Sequence, residues 1–426
     1  MGVAVLVVTL LVTLAIGLPL PFSLGVASLV TLVVVEPGLP LTIVPQRFIA
    51  GINSFAFMAI PFFLLVGELM NAGGITQRII AFANALVGHM AGGLAQVNVV
   101  SSMLFGGISG SATADTASIG SILIPAMVRE RYDADFSVAL TACSSTCGPI
   151  IPPSITLIIY GVVANVSITD LFLAGYTPGL MLGAGLLGTS WWISRRRAYP
   201  VYERASVGQI WRAFLSASWA VFLPFLIIGG LLSGVFTVTE AAGVAVVYAL
   251  VVGLFVYGDL KLRHLPGVFI SAAIKVGTLM TVAAAALLFA WVLTILEVPQ
   301  VVAAAILEVS ANKWAILALF NVLFLFVGMF MEAKAALLIL LPVILPVLPE
   351  VGIDPTHFGV VIVFNLLIGL VTPPIGLCLN LAARIGDVRI DRAAIAALPF
   401  IATMLLVLLI ITYVPFVVLW LPELAR

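Results

Sequence analysis

The sequence predicts an all-α polytopic membrane protein, built as an inverted repeat of five transmembrane helices plus one re-entrant hairpin per half. Three observations lead there. Hydrophobic residues make up 63% of the chain and charged residues 8%, with a mean hydropathy of +1.28; a soluble domain of this length needs far more charge to keep its surface wet. The apolar residues fall in blocks near the ~20 residues that one bilayer crossing requires. Landmarks in the two halves recur at an offset of 221 residues.

The strongest apolar segments run at about 2–18, 20–36, 48–71, 136–162, 170–194, 214–234, 237–257, 267–295, 356–384 and 394–421. The opening MGVAVLVVTLLVTLAIG has no basic leader and no A-x-A-type cleavage site, so it reads as a retained span. Two further regions, about 97–128 and 314–349, are broken near their middles by Gly, Ser or Pro. Each is too long for one crossing, and no charge marks a far side. A re-entrant hairpin fits, because non-helical backbone is tolerated at membrane depth where protein or a cavity surrounds it.

The expected organisation is a first repeat at 1–194, a cytoplasmic linker at 195–212 and a second repeat at 213–426. The linker, RRRAYPVYERASVGQIWR, is the basic centre of the chain and belongs inside. Counting spans outward puts Arg129, Arg131, Lys261, Arg263, Arg384, Arg389 and Arg392 on the same side. Asp170, Glu297, Glu350 and Asp354 fall outside, as do both termini.

The repeat rests on arithmetic. Pro125 and Pro346, read as ending hairpin arms, give 346 − 125 = 221; Pro152-Pro153 and Pro373-Pro374 give 373 − 152 = 221. Pro178 and Pro399 give 399 − 178 = 221, and Phe136 and Phe358 differ by 222. An odd number of spans per half makes the second copy enter with opposite polarity. Inverted repeats with a discontinuous helix in each half characterise transporters, with the site near the bilayer midplane.

Other classes find little support. Net charge is zero, which leaves no nucleic-acid footprint. Lys261, Lys275, Lys313 and Lys334 are the only lysines and none follows a glycine, so no phosphate-binding loop is present. Cys143, Cys147 and Cys378 lie in apolar segments and read as small buried fillers. His89, His264 and His357 are scattered, and no Ser–His–acid or paired-carboxylate grouping emerges. Neither enzyme chemistry nor an organic cofactor is expected.

Three motifs carry the chemistry. In SGSATADTASIGSILIPAM (Ser109 to Met127), Ser109-Gly110-Ser111 combines backbone freedom with two hydroxyls, and such oxygens replace a cation's water shell. The competing reading is a small-residue packing stretch. Asp115, four residues beyond Ser111, reads as an acceptor that locks the hairpin. In CGPIIPPS and GLVTPPIG each proline orphans the carbonyl four residues earlier. Pro152 and Pro153 free Gly148 and Pro149; Pro373 and Pro374 free Gly369 and Leu370. Bound cations would satisfy those carbonyls, and the restarting half-helix suits an anion; kinks met by hydroxyls and buried water are the alternative. In GMFMEAKAA, Glu332 aligns with Ser111 (332 − 221 = 111) at the other tip, beside Lys334. An intramembrane ionisable residue is a functional candidate: Glu332 is read as part of a cation site or as facing periplasmic water.

These stretches, together with GVFTVTEAAGVAVVYAL, IPFFLLVGELMNAGGITQRI, ITDLFLAGYTPGL and GLVTPPIGLCLN, resemble the large membrane subunit of tripartite ATP-independent periplasmic (TRAP) transporters, the DctM-like family. The matches run in order from about residue 55 to 400. The resemblance implies an elevator-type fold of the ion transporter superfamily in the bacterial inner membrane. It also implies Na+ as coupling ion and import of a carboxylate or sialic-acid-like substrate. A periplasmic binding protein delivers that substrate, and a small four-helix membrane subunit is expected as a separate chain.

Carried over by motif, one sodium site falls on Ser109, Gly110, Ser111, Gly148 and Pro149. The other falls on Met331, Glu332, Gly369, Leu370 and Thr372. Substrate contacts are expected at Ser111, Pro153, Thr372 and Pro374. Spans one, two, six and seven would form the scaffold, and the hairpins and broken helices the moving core. A stand-alone sodium/dicarboxylate symporter of the same superfamily would use similar architecture without a binding protein, and a passive anion channel would use it without sodium coupling.

Overall fold

The computed structural model describes residues 1–310 and 312–425, and among them every regular element is helical. Ala311 and Arg426, within the expected second repeat, lie outside the described residues. Among the described residues five helices are long and apolar enough to cross a membrane: Ile168–Arg196, Val207–Leu232, Val238–Val256, Leu262–Ile295 and Ile390–Tyr413. Local chemistry sets several of their ends. A capping box between Ser206 and Gln209 opens one helix, and another between Thr237 and Glu240 opens the next. The Thr239 hydroxyl donates to the Phe55 carbonyl at 2.7 Å.

The structure differs from the expected spans in several places, the last span included: 394–421 is Ile390–Tyr413 followed by Phe416–Ala425. Gly2–Ala15 and Leu20–Val35 have 14 and 16 residues, shorter than 2–18 and 20–36. The segment expected at 48–71 is a pair, Ile43–Ile52 and Ala56–Ala72, bent by 64°; Asn53 and Ser54, whose side chains compete for backbone groups, sit at the bend. Two helices were not expected at all, Ile75–Val87 and Val298–Val309, one ahead of each hairpin. They have 13 and 12 residues, too few to cross, so a search for spans passes over them. Pro125 does not end its arm: the helix continues to Arg129. Pro125 and Ser121, whose carbonyl it leaves unbonded, both lie on an exposed face.

Both hairpins form. The first joins Gly93–Ser109 to Ala112–Arg129, and the second joins Lys313–Gly328 to Ala333–Ile344. Both proline-containing spans are interrupted: Ala134–Ser145 restarts as Ile155–Ala164, and Pro355–Gly369 restarts as Leu377–Ile385. These broken helices run in opposite directions. The Tyr160 hydroxyl, near the end of the first, donates to the Pro355 carbonyl at the start of the second at 2.6 Å. Gly386, just past the second, packs on Val138 near the start of the first.

One end of the molecule gathers the turn before the first broken helix and the basic linker. Arg197 pairs with Asp133 at 2.6 Å, and the Tyr199 hydroxyl donates to the same carboxylate at 2.6 Å. Burial, with Asp133 beside it, pushes the Tyr199 phenol up to about 12, so it stays a donor. The non-helical part of the linker is confined to 197–206.

Candidate ion and substrate site

At the first tip Ser109 closes one arm, Gly110 turns with φ +58°, and Ser111 caps the other, accepting from the Ala114 amide at 3.4 Å. A Cβ on Gly110 would lie 2.8 Å from the Pro153 carbonyl oxygen, so left-handed backbone and close approach both call for glycine. The Ser111 and Thr113 hydroxyls are 3.2 Å apart. The Ser109 hydroxyl is buried and has no hydrogen-bond partner among the described residues.

This tip rests on the first break, residues 146–154, which is buried throughout. Ser154 caps the restarting helix, accepting from the Leu157 amide at 3.1 Å and donating to the Pro149 carbonyl. One of the two carbonyls expected to be free thus has a hydroxyl partner. The other, on Gly148, has no donor among the described residues.

The second tip repeats the backbone with different side chains. Glu332 occupies the cap position of Ala333–Ile344 but makes no cap hydrogen bond; it pairs with Lys334 instead. The Lys334 side chain is 14% exposed and that of Glu332 is 40% exposed. In the second break the Gly369 carbonyl accepts from the Thr372 amide at 3.1 Å, and the Leu370 carbonyl accepts from the Cys378 amide at 2.9 Å. The Thr372 hydroxyl donates to the Ile368 carbonyl at 2.7 Å. Pro374 and Ile375 are exposed, unlike anything in the first break. Pro152-Pro153 and Pro373-Pro374 are both cis.

Paired glycines set both tips against their breaks. A side chain on Gly106 would collide with the backbone of Gly148, and one on Gly369 with the backbone of Gly328. The pairs share the repeat register, since 328 − 106 = 222 and 369 − 148 = 221. Buried polar pairs come close to it, since 365 − 144 = 221 and 321 − 98 = 223. Ser144 donates to Asn98 at 3.1 Å in one half, and Asn365 donates to Asn321 at 2.7 Å in the other. Asp115 accepts from Ser102 on the opposite arm at 3.4 Å, joining the two arms of its hairpin, while its second oxygen is buried and unpartnered.

Two cavities meet the tips. One of about 450 Å³ lies between them and the Ala56–Ala72 and Leu265–Ile295 helices; its lining includes Ser109, Ser111, Thr113, Glu332 and Lys334, with Glu68 and Lys275 across from them. Glu68 pairs with Lys275 and accepts from Ser271 at 2.8 Å. Lys275 is therefore held by an acid on a neighbouring helix. A second space of about 10 Å³ is lined by Gly110, Ser111, Pro149, Thr156, Glu332, Lys334 and Leu370 among others.

The structure thus gathers members of both expected sodium sets around one small space. Gly148 and Gly369 sit behind it at the glycine contacts. Met331, Pro153, Thr372 and Pro374 line neither cavity. Sequence reasoning missed Thr113 and Thr156 as lining residues and missed the Glu68–Lys275 pair. Two opposite charges in apolar segments were the available signal.

Antiparallel broken helices, two helical hairpins and a polar cavity at their tips fit a multi-pass membrane transport protein. Residues 7–417 match the family described as "Tripartite ATP-independent periplasmic transporter, DctM component", and the chain belongs to it. It is 40% identical to the sialic acid TRAP transporter large permease protein SiaM of Vibrio cholerae, covering 96% of this chain and 95% of that one. Against the C4-dicarboxylate TRAP transporter large permease protein DctM of Rhodobacter capsulatus it is 38% identical, with 99% of each covered. The isethionate TRAP transporter permease protein DctMQ of Oleidesulfovibrio alaskensis is 41% identical, and the chain spans 63% of that longer protein. These relatives are permeases, not enzymes. Among solved structures, the Alcanivorax borkumensis YdaH transporter shares the fold, with a TM-score of 0.62 over 89% of each chain at 17% identity.

Proposed function

We propose that the chain is the large permease of a sodium-coupled importer of a small organic anion in a bacterial inner membrane. A periplasmic binding protein would deliver the anion, and a separate small membrane subunit would accompany the permease. The longer DctMQ relative, whose extra length lies outside the match, supports the second partner. The relatives named for sialic acid, C4-dicarboxylate and isethionate transport all suggest an anionic substrate.

The observation that carries this reading is the cavity of about 450 Å³ bounded by both hairpin tips on one side and two other helices on the other. Its size suits a small solute. Hydroxyls of Ser111 and Thr113 and the ammonium of Lys334 supply groups that bind a carboxylate. Sodium is a substrate here. Ser109, Gly110, Ser111 and Gly148 fit it, because the buried Ser109 hydroxyl and the Gly148 carbonyl are both short of partners, while the Pro149 carbonyl already accepts from Ser154.

The two halves form an inverted repeat, a reading supported by the antiparallel broken helices, by the glycine pairs in register and by the asparagine pairs close to it. Gly2–Ala15, Leu20–Val35, Val207–Leu232 and Val238–Val256 belong to a static scaffold. The two helices opposite the tips join them, and the core slides against this frame. The large cavity adjoins one of about 260 Å³ that shares Asn71, Ala117 and Ser118 with it and reaches Gln77 and Ser121. That path leads toward the end bearing the Arg78–Asp259 pair, the cytoplasmic side by the charge rule, so the conformation is read as inward-facing.

The test is uptake of radiolabelled sialate, succinate and isethionate by proteoliposomes holding the chain, its small subunit and the binding protein, under an imposed sodium gradient. Ser111→Ala should raise the sodium concentration for half-maximal uptake at least tenfold. Transport by the wild-type protein that ignores the sodium gradient would refute the coupling.

A further inference from the structure

The two tips occupy the same positions of the repeat, since 332 − 111 = 221 and 334 − 113 = 221. Each ties its cap residue to the residue two further on. At the first tip the tie joins the hydroxyls of Ser111 and Thr113; at the second it joins Glu332 and Lys334. A neutral pair of oxygens, able to accept a cation, faces a pair that already contains one.

The surroundings agree with that difference. Around the first tip a buried hydroxyl and a break carbonyl stand without partners. Around the second, Gly369 and Leu370 already receive backbone amides, the Thr372 hydroxyl is engaged, and Glu332 is neutralised by its neighbour. Lys334, 14% exposed, lines both the large cavity and the small one. The small space, about 10 Å³, has room for about one water-sized occupant. A free cation drawn to Glu332 would have to displace an ammonium that cannot diffuse away and would repel it at close range.

We propose that the Lys334 ammonium is the resident cation of the second tip, so that the chain binds one free sodium ion, at the first tip, rather than one at each. This rests on the sodium-coupled reading above and goes beyond it by fixing how many ions the site takes. A tethered cation neutralises Glu332 and orders its tip as a bound ion would, but it is never released. Each transport cycle therefore dissipates one sodium ion less of the gradient than a design with an ion at both tips.

The probe is sodium alone. Equilibrium binding of ²²Na⁺ to the full chain in nanodiscs, at saturating sodium with choline replacing it in the control, gives ions per chain. The wild type is expected to bind one, and Ser111→Ala to need at least tenfold more sodium to bind it. Lys334→Ala, with Glu332 kept, should open the second position and double the binding to two. Two ions per wild-type chain would overturn the inference while leaving sodium coupling intact, and so would Lys334→Ala remaining at one. The wild-type count decides the matter even if Lys334→Ala fails to fold. No sodium bound by the wild type would overturn the coupling and this inference together.

Discussion

The two hairpin tips share one backbone design and divide its chemistry. Each sits on a helix interrupted by a cis proline pair, and each is brought close by two facing glycines, Gly106 with Gly148 and Gly328 with Gly369. One tip offers hydroxyls above a fully buried break with unpartnered acceptors. The other offers an ion pair above a break whose carbonyls are bonded and whose Pro374 and Ile375 are exposed. Glycine spacing sets how closely backbone approaches backbone, whereas the residues at the cap and two beyond it set what the tip binds. The difference teaches that the two levels vary independently within one chain.

The glycine contacts offer the largest test. They are matched but not equivalent: an added methyl collides at Gly106 and at Gly369, while at Gly148 and Gly328 its nearest neighbour stands at 3.2 Å. Gly106→Ala and Gly369→Ala should therefore cut uptake by more than tenfold and cost about 1–3 kcal/mol of stability through overpacking. Gly148→Ala and Gly328→Ala should keep most of their activity. Melting temperature and uptake, measured on all four, would break the comparison if the ranking came out by half rather than by this crossed pattern.

Next in size is Glu332→Gln, which leaves the Lys334 ammonium uncompensated. Removing one partner of a fully buried pair costs about 3–5 kcal/mol. Glu332 is 40% exposed, so screening reduces the expected loss to about 1–2 kcal/mol. Adding Lys334→Met to Glu332→Gln should restore most of the lost melting temperature, because no lone charge then remains. The corresponding Ser111→Ala removes a helix cap worth about 1 kcal/mol, and its larger effect should fall on sodium dependence.

The architecture was legible because its cause is short-range. The adjacent prolines at 152–153 and at 373–374 delete two neighbouring helix hydrogen bonds per pair and interrupt their spans, where single prolines such as Pro125, Pro178 and Pro399 are carried inside helices, and Gly110 between two serines permits the turn. A hydropathy scan finds long apolar runs, so it saw both hairpins and missed Ile75–Val87 and Val298–Val309, which are too short to cross. Within the site the sequence put Ser111 with Pro149 and Glu332 with Leu370 in two separate sets, where the structure lines one small space with all four, and it overestimated how many carbonyls the prolines leave free. A ring deletes one donor; whether another reaches the carbonyl depends on the loop's path, as with the Cys378 amide on Leu370. Ser154 answers Pro149 in the same way. For Glu68 and Lys275 the sequence showed two opposite charges in apolar segments but not their pairing, because the residues lie 207 apart and meet only through packing.

The smallest expected effect lies in the buried polar pairs behind the tips. Ser144 and Asn365 occupy one register, since 365 − 144 = 221, and each donates to the asparagine of its own hairpin. Neither asparagine depends on that bond alone. Asn98 also donates to Thr141 at 2.6 Å, and Asn321 donates to Thr412 at 3.1 Å. Hydrogen bonds between membrane helices average about 0.6 kcal/mol, because the alternatives in the bilayer also find partners. Ser144→Ala and Asn365→Ala should therefore each lower the melting temperature by only a few degrees and leave sodium binding at the wild-type count. Asn365→Ala should be the milder of the two, since it also removes a buried oxygen that has no partner among the described residues. A change in sodium count in either variant would mean that these pairs, and not the tip residues alone, shape the ion site, and the division drawn between tip and cradle would fail.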